Sequence, residues 1–184
     1  MIARVRLGAA VAAAGIAVAL AVGACAPGGG ISIASFPAGS LGPIGTVSPA
    51  VGQTRTELVR VLGERNLVLR DTEAAFRPPE DGVFTAAPRQ VFQVVLPDAP
   101  SEGFIVVYDF GDPGVAAEAA ADQAAYLATG PARVQSAFGA RHVMRLVGST
   151  VVLYSWVPEG VADERQPDIQ VALETLGVGV PIPA

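Results

Sequence analysis

Two strand-like runs separated by two residues constrain this chain more than any other feature in it. Arg141 to Val147 and Thr150 to Val157 flank Gly148-Ser149. The second run is rich in β-branched and aromatic residues, which suit a pleated, packed surface. A Gly-first pair between them fits a two-residue type II′ turn, whose twist matches that of the strands it joins. Such a turn also sets the register. Arg141 then opposes Trp156, His142 opposes Ser155, Val143 opposes Tyr154, Met144 opposes Leu153 and Arg145 opposes Val152. A slip of one residue would send every one of these side chains to the other face.

The rest of the domain is read outward from this hairpin. A second strand pair is expected from Gln90 to Leu96 and from Phe104 to Phe110, joined by the Pro-, Asp- and Gly-rich stretch from Pro97 to Gly103. Leu67 to Leu69 suggests a further short strand, and residues 71–88, punctuated by Pro78-Pro79, Asp81-Gly82 and Pro88, read as an irregular loop. Asp112-Pro113 supplies an N-cap and a Pro at the first helical position for an Ala-rich helix from Val115 to Thr129. Gly130-Pro131 reads as its stop. An earlier helix is expected around Leu58, Val59, Val61 and Leu62, opened by a Thr54/Glu57 capping box and weakened in its middle by Gly63. Asp168 to Leu176 predicts a last short helix, with Gly177 after it and an irregular tail containing Pro181 and Pro183. The order α-β-β-α-β-β-α predicts an α+β two-layer sandwich: a mainly antiparallel sheet with helices on one face.

Length allows one domain of about 130 residues, enough to bury roughly two-thirds of its extended-chain surface without a disulfide. Cys25 is the only cysteine and precedes that domain. All 12 basic residues are Arg, and two of them, Arg4 and Arg6, lie at the extreme N-terminus. That leaves 10 Arg against 17 Asp and Glu, a formal charge of −7 beyond the first segment. An acidic domain repels phosphate backbones, so nucleic acid is not an expected partner.

The N-terminal segment has a different logic. Arg4 and Arg6 precede an uncharged run from Leu7 to Val22 that is short and small-residued, a signal sequence rather than a spanning helix. It ends in Leu20-Ala21-Val22-Gly23-Ala24-Cys25, with an aliphatic residue three before the Cys and small residues between. This segment resembles the lipobox of bacterial lipoproteins. The resemblance covers residues 1–25 and implies a diacylglyceryl group on the Cys25 thiol, cleavage before it, and often acylation of the new amino terminus. It therefore implies a protein anchored by lipid at the cell membrane, on the extracytoplasmic side. Residues 1–24 read as signal peptide, 25–50 as the lipidated Cys and a flexible tether, and 51–184 as a single domain. From Ala26 to Val51 there is no charge and no period, only Gly28-Gly29-Gly30, scattered Ser and four Pro.

Few residues suggest chemistry. His142 is the only His, and its expected partner Ser155 invites a hydrolase reading, but no G-x-S-x-G pattern surrounds Ser155 and no third member is indicated. Asp71, Glu73, Glu80 and Asp81 fall in one loop without the spacing of a calcium loop, and Glu118 and Asp122 stand one helical turn apart on what reads as a solvent face. No metal or cofactor is implied. The more suggestive surface is the hairpin face opposite Met144, Leu146, Val151 and Leu153. If helices cover only the latter, Arg141, Arg145, Tyr154 and Trp156 form an exposed aromatic-and-Arg patch, a composition favoured at binding hot spots. The expected function is a non-catalytic domain that binds an envelope protein or another envelope component. The alternatives are a carrier of a lipid or small hydrophobic ligand held beside the Ala-rich helix, and a hydrolase using His142.

Overall fold

A computed structural model describes residues 48–159 and 161–183. Cys25, its lipobox and most of the stretch expected to be a tether lie outside the described residues. In chain order the elements are α1 (Pro49–Gly63), β1 (Leu69–Asp71), α2 (Gly82–Ala86), β2 (Arg89–Val94), β3 (Phe104–Asp109), α3 (Pro113–Leu127), α4 (Gly130–Gln135), β4 (Arg141–Val147), β5 (Thr150–Trp156), α5 (Gln166–Glu174) and β6 (Val178–Gly179). The six strands form one sheet in the order β1-β2-β3-β5-β4-β6, and each neighbouring pair is antiparallel.

The β4–β5 hairpin has the register that its turn demands. All seven pairs run from Arg141↔Trp156 to Val147↔Thr150. Gly148 takes φ +57°, which an L side chain rarely adopts, whereas Ser149 does not, as a Gly-first turn requires. α3 begins where Asp112 accepts bonds from the Gly114 and Val115 amides, at 2.7 and 3.0 Å. Gly130 is not its left-handed stop. α3 ends at Leu127, and Gly130-Pro131 instead opens the short helix α4, because Pro at a first helical turn lacks only an amide that would go unbonded there.

α1 starts earlier than the capping-box pattern indicates. Ser48 is the N-cap, its hydroxyl accepting from the Val51 amide at 3.2 Å, and Pro49 follows it. Thr54 therefore lies inside the helix, where its buried hydroxyl bonds the Thr150 hydroxyl at 2.7 Å. Gly63 closes the helix rather than weakening its middle.

The fold is α+β, with an antiparallel sheet and helices packed on it, as the element order predicts. Helical cover extends beyond one face, however. Val91, Val106, Tyr108, Met144, Val151 and Leu153 pack with α2, α3 and α4. Phe92, Val94, Ile105, Val107, Val152, Tyr154 and Trp156 pack with α1 and α5. The central strands are apolar on both sides. Ile105-Val106-Val107-Tyr108 and Val151-Val152-Leu153-Tyr154 are continuous buried runs, the mark of a strand with no solvent face.

The excursion at 72–88 is stitched onto the α3 side. Glu80, its side chain almost wholly buried, accepts from the Tyr108 hydroxyl at 2.7 Å, Arg89 at 2.8 Å and Arg77 at 2.9 Å. Gln123 of α3 bonds the Asp81 amide and the Pro79 carbonyl. Phe84 of α2 is tilted against Tyr108 and Phe110, at 4.6 and 5.2 Å between ring centroids. These bonds replace the ladder that the segment lacks, so it is less a solvated loop than its prolines suggest.

Candidate functional site

The aromatic-and-Arg patch expected on the hairpin does not exist as an open surface. Tyr154 is fully buried and Trp156 is 8% exposed, both beneath the α1/α5 layer. Trp156 donates its indole N–H to Gln170 of α5 at 3.2 Å. Arg145 turns its guanidinium onto the carbonyls of Leu176 and Gly177, at 2.5 and 3.1 Å, and so serves the end of α5. The register was right; the assumption that only one face carries helices made the patch. Arg141, the fourth residue of the set, stays exposed at the start of β4.

Arg141 leads to a different site, at the end of the sheet where β4 begins and β5 finishes. The α4 helix ends at Ser136, and Ala137 to Ala140 form a turn closed by the Ala140 amide on the Ala137 carbonyl at 3.0 Å. Gly139, at φ +74°, sits in the third position, where such a turn wants Gly. This turn holds Phe138 at its tip, 93% exposed, with Val134 of α4 close in sequence at 87%. Large apolar side chains this exposed are a signal only when they line something. Here Phe138, Leu127 and Ile182 form the apolar part of a cleft of about 480 Å³, to which Arg133, Arg141 and His142 supply the polar part. A smaller hollow of about 180 Å³ shares Ser136, Ala137, Ala140 and His142 and adds Phe76, Ser155 and Trp156. Phe76 is stacked on Phe104 at 4.9 Å, which fixes its side of the hollow.

His142 stands between the two hollows, half-buried. Its Nδ1 lies 2.7 Å from the Ser155 hydroxyl, and its Nε2 lies 3.5 Å from that of Ser136. Ser136 already donates its proton to the Ala132 carbonyl at 2.9 Å, so its oxygen is free to accept. The consistent assignment puts a proton on Nε2 and has Ser155 donate to Nδ1. Burial pushes the ring's pKa below its ordinary value, favouring the neutral form. Ser155 and His142 thus meet as a hydroxyl and a base. The other ring nitrogen reaches a hydroxyl, where the Ser-His-Asp arrangement places a carboxylate that stabilises the charged ring.

Electrostatics set this end apart. From Gln123 to Pro158 the chain has no Asp or Glu, although it carries 17 elsewhere. Six domain arginines are engaged in ion pairs, Arg70 bonds Gln93, and Arg145 bonds backbone carbonyls. Among the described residues only Arg133 and Arg141 have neither an ion pair nor a side-chain hydrogen bond, and both line the 480 Å³ cleft. A hollow of about 430 Å³ at the opposite, Gly148 end is lined by Gln53, Thr54 and Glu57 of α1 and carries no arginine.

Three of the four loop carboxylates have other roles, and Glu73 is exposed. Asp71 pairs with Arg55 at 2.9 Å, Glu80 is held as described, and Asp81 caps α2 through the Phe84 amide at 2.8 Å. Glu118 and Asp122 are exposed on the outer side of α3. Among the described residues no group of three His, Cys, Asp or Glu is placed to hold a metal ion. Sequence reasoning missed Arg133, Ser136 and Phe138. The acid-free run around them was the available signal. No protein-family model, curated protein or solved structure matches the chain.

Proposed function

We propose that this chain is the precursor of a lipid-anchored, extracytoplasmic, non-catalytic binding domain that meets an envelope partner through the Phe138 end of its sheet. One observation carries the choice of surface. Among the described residues, the two domain arginines without partners line a cleft that also holds the most exposed large apolar side chain, in a stretch without acidic residues. Arginine and aromatic side chains together are what binding hot spots use. The anchor rests on the lipobox resemblance at Cys25.

The surface is tested by placing a photo-crosslinking residue at Phe138 in the lipidated protein on native membranes, with Val59 on α1 as the control position. A specific adduct from position 138 alone, lost when Arg133 and Arg141 are both changed to Gln, is the expected result. Equal labelling from both positions, or none, would overturn it. The anchor is tested separately: intact-mass measurement should find a diacylglyceryl adduct on Cys25 as the first residue, and Cys25→Ser should abolish it, because a hydroxyl is a much weaker nucleophile than a thiolate.

A further inference from the structure

We infer that the ligand of the Phe138 cleft is an acyl carboxylate, a molecule with one apolar chain and a terminal carboxylate. This rests on the binding reading above and names the chemistry it serves. The cleft, about 480 Å³, falls within the range of small-molecule sites. Leu127, Phe138 and Ile182 offer an apolar track on which the methylenes of a chain leave water. Arg133 and Arg141 both line the cleft, and among the described residues neither has an acidic partner. A guanidinium matches a carboxylate with two parallel hydrogen bonds, so the charged end of such a ligand has a receiver. Among the described residues no Asp or Glu lines the cleft to repel it. His142 also lines the cleft, and burial favours its neutral form.

The cleft lies at the end of β4 opposite the start of α1. The start of α1 lies beside the Gly148–Ser149 turn, where Ala50, Gln53 and Thr54 share a hollow with Val147, Gly148 and Ser149. The cleft is at the other end of β4, about 20 Å away at the usual rise of a strand. A domain entered by its chain at one end presents the Phe138 end away from that entry.

The test uses the lipidated protein in phosphatidylcholine vesicles with a dodecanoate bearing a diazirine near its methyl end. The adduct should map to Leu127, Phe138 or Ile182, and excess dodecanoate should compete while dodecanol should not. Changing Arg133 and Arg141 to Gln should cut labelling by about tenfold or more, the loss expected for charge-assisted hydrogen bonds. Both arginines are exposed and partnerless, so the melting temperature reports whether the variant folds; Phe138→Ser is a second variant aimed at the apolar track. Labelling elsewhere, equal competition by dodecanol, or indifference to the arginines would overturn the inference. So would displacement of the probe by phosphatidylglycerol vesicles, which would assign the surface to a bilayer. If position 138 crosslinks an envelope protein while dodecanoate leaves the cleft unlabelled, the ligand class fails and the binding reading stands. If both experiments are silent, both fail.

Discussion

The two faces of the sheet are covered by helices of opposite character. On one, α1 and α5 press Leu58, Leu62, Ile169 and Leu173 onto the strands, and the layer reaches the last residue of β5. On the other, α3 contributes Ala116, Ala119, Ala120 and Ala124, which let its backbone lie close to Val106, Val151 and Leu153. The 480 Å³ cleft opens past the end of α3, at Leu127. The layer on this side stops before the final rung of the hairpin, and His142 and Ser155 are left half-buried. One face is closed along its length, and the other ends in a hollow. Function is accordingly sought where the thin layer runs out.

Trp156 probes the closed face most severely. Trp156→Ala should destabilise the domain by about 3–5 kcal/mol, the range for removing a buried aromatic, measured by urea unfolding. A loss near zero would mean that the α1/α5 layer does not cover the end of β5. The thin layer should fail by crowding instead. Ala120→Leu, at a fully buried position, should cost about 1–3 kcal/mol through overpacking, while Val115→Leu on the exposed side of the same helix should cost little. Tolerance of Leu at 120 would show that α3 has space beneath it and return the ligand to that site.

The hollow end makes a pH prediction. Burial lowers the His142 pKa, so the unfolded chain binds its proton more readily than the folded one. Stability is therefore unaffected by this group above its unfolded value near 6.5 and falls as pH drops below it. His142→Gln should flatten that part of the stability profile. An unchanged slope would mean that the ring is solvated. The smallest stability effect belongs to Phe138→Ser, about 0.5 kcal/mol or less in either direction, because the ring touches little of the fold. A large loss would make Phe138 a structural residue and remove the main feature that distinguishes the two ends.

What the sequence revealed follows from how local each signal is. The β4–β5 register was legible because two turn residues and a period of two specify it. The start of α3 was legible from Asp112-Pro113. Ser48-Pro49 is the same kind of signal, but it sits in a Gly-, Pro- and Ser-rich stretch that reads as linker, so α1 looked shorter than it is. Cover of the second face depends on contacts far apart in sequence. Its local traces were the unbroken apolar runs from Ile105 to Tyr108 and from Val151 to Tyr154, which an alternating, half-solvated strand would not show. The cleft is harder still to read, since it joins Leu127, Phe138 and Ile182 through tertiary packing. The two-residue strand β6 leaves no periodic pattern at all.

That short strand bears on how neighbouring copies behave. The outermost strands, β1 and β6, are three and two residues long. β6 is fastened by Arg145 and by Gly177, where a Cβ would lie 2.2 Å from the Leu146 carbonyl. Pro181 and Pro183 continue past it without amide donors. A sheet ending this way gives an incoming strand only a few rungs to extend. Copies lying side by side therefore find little template for edge-to-edge pairing.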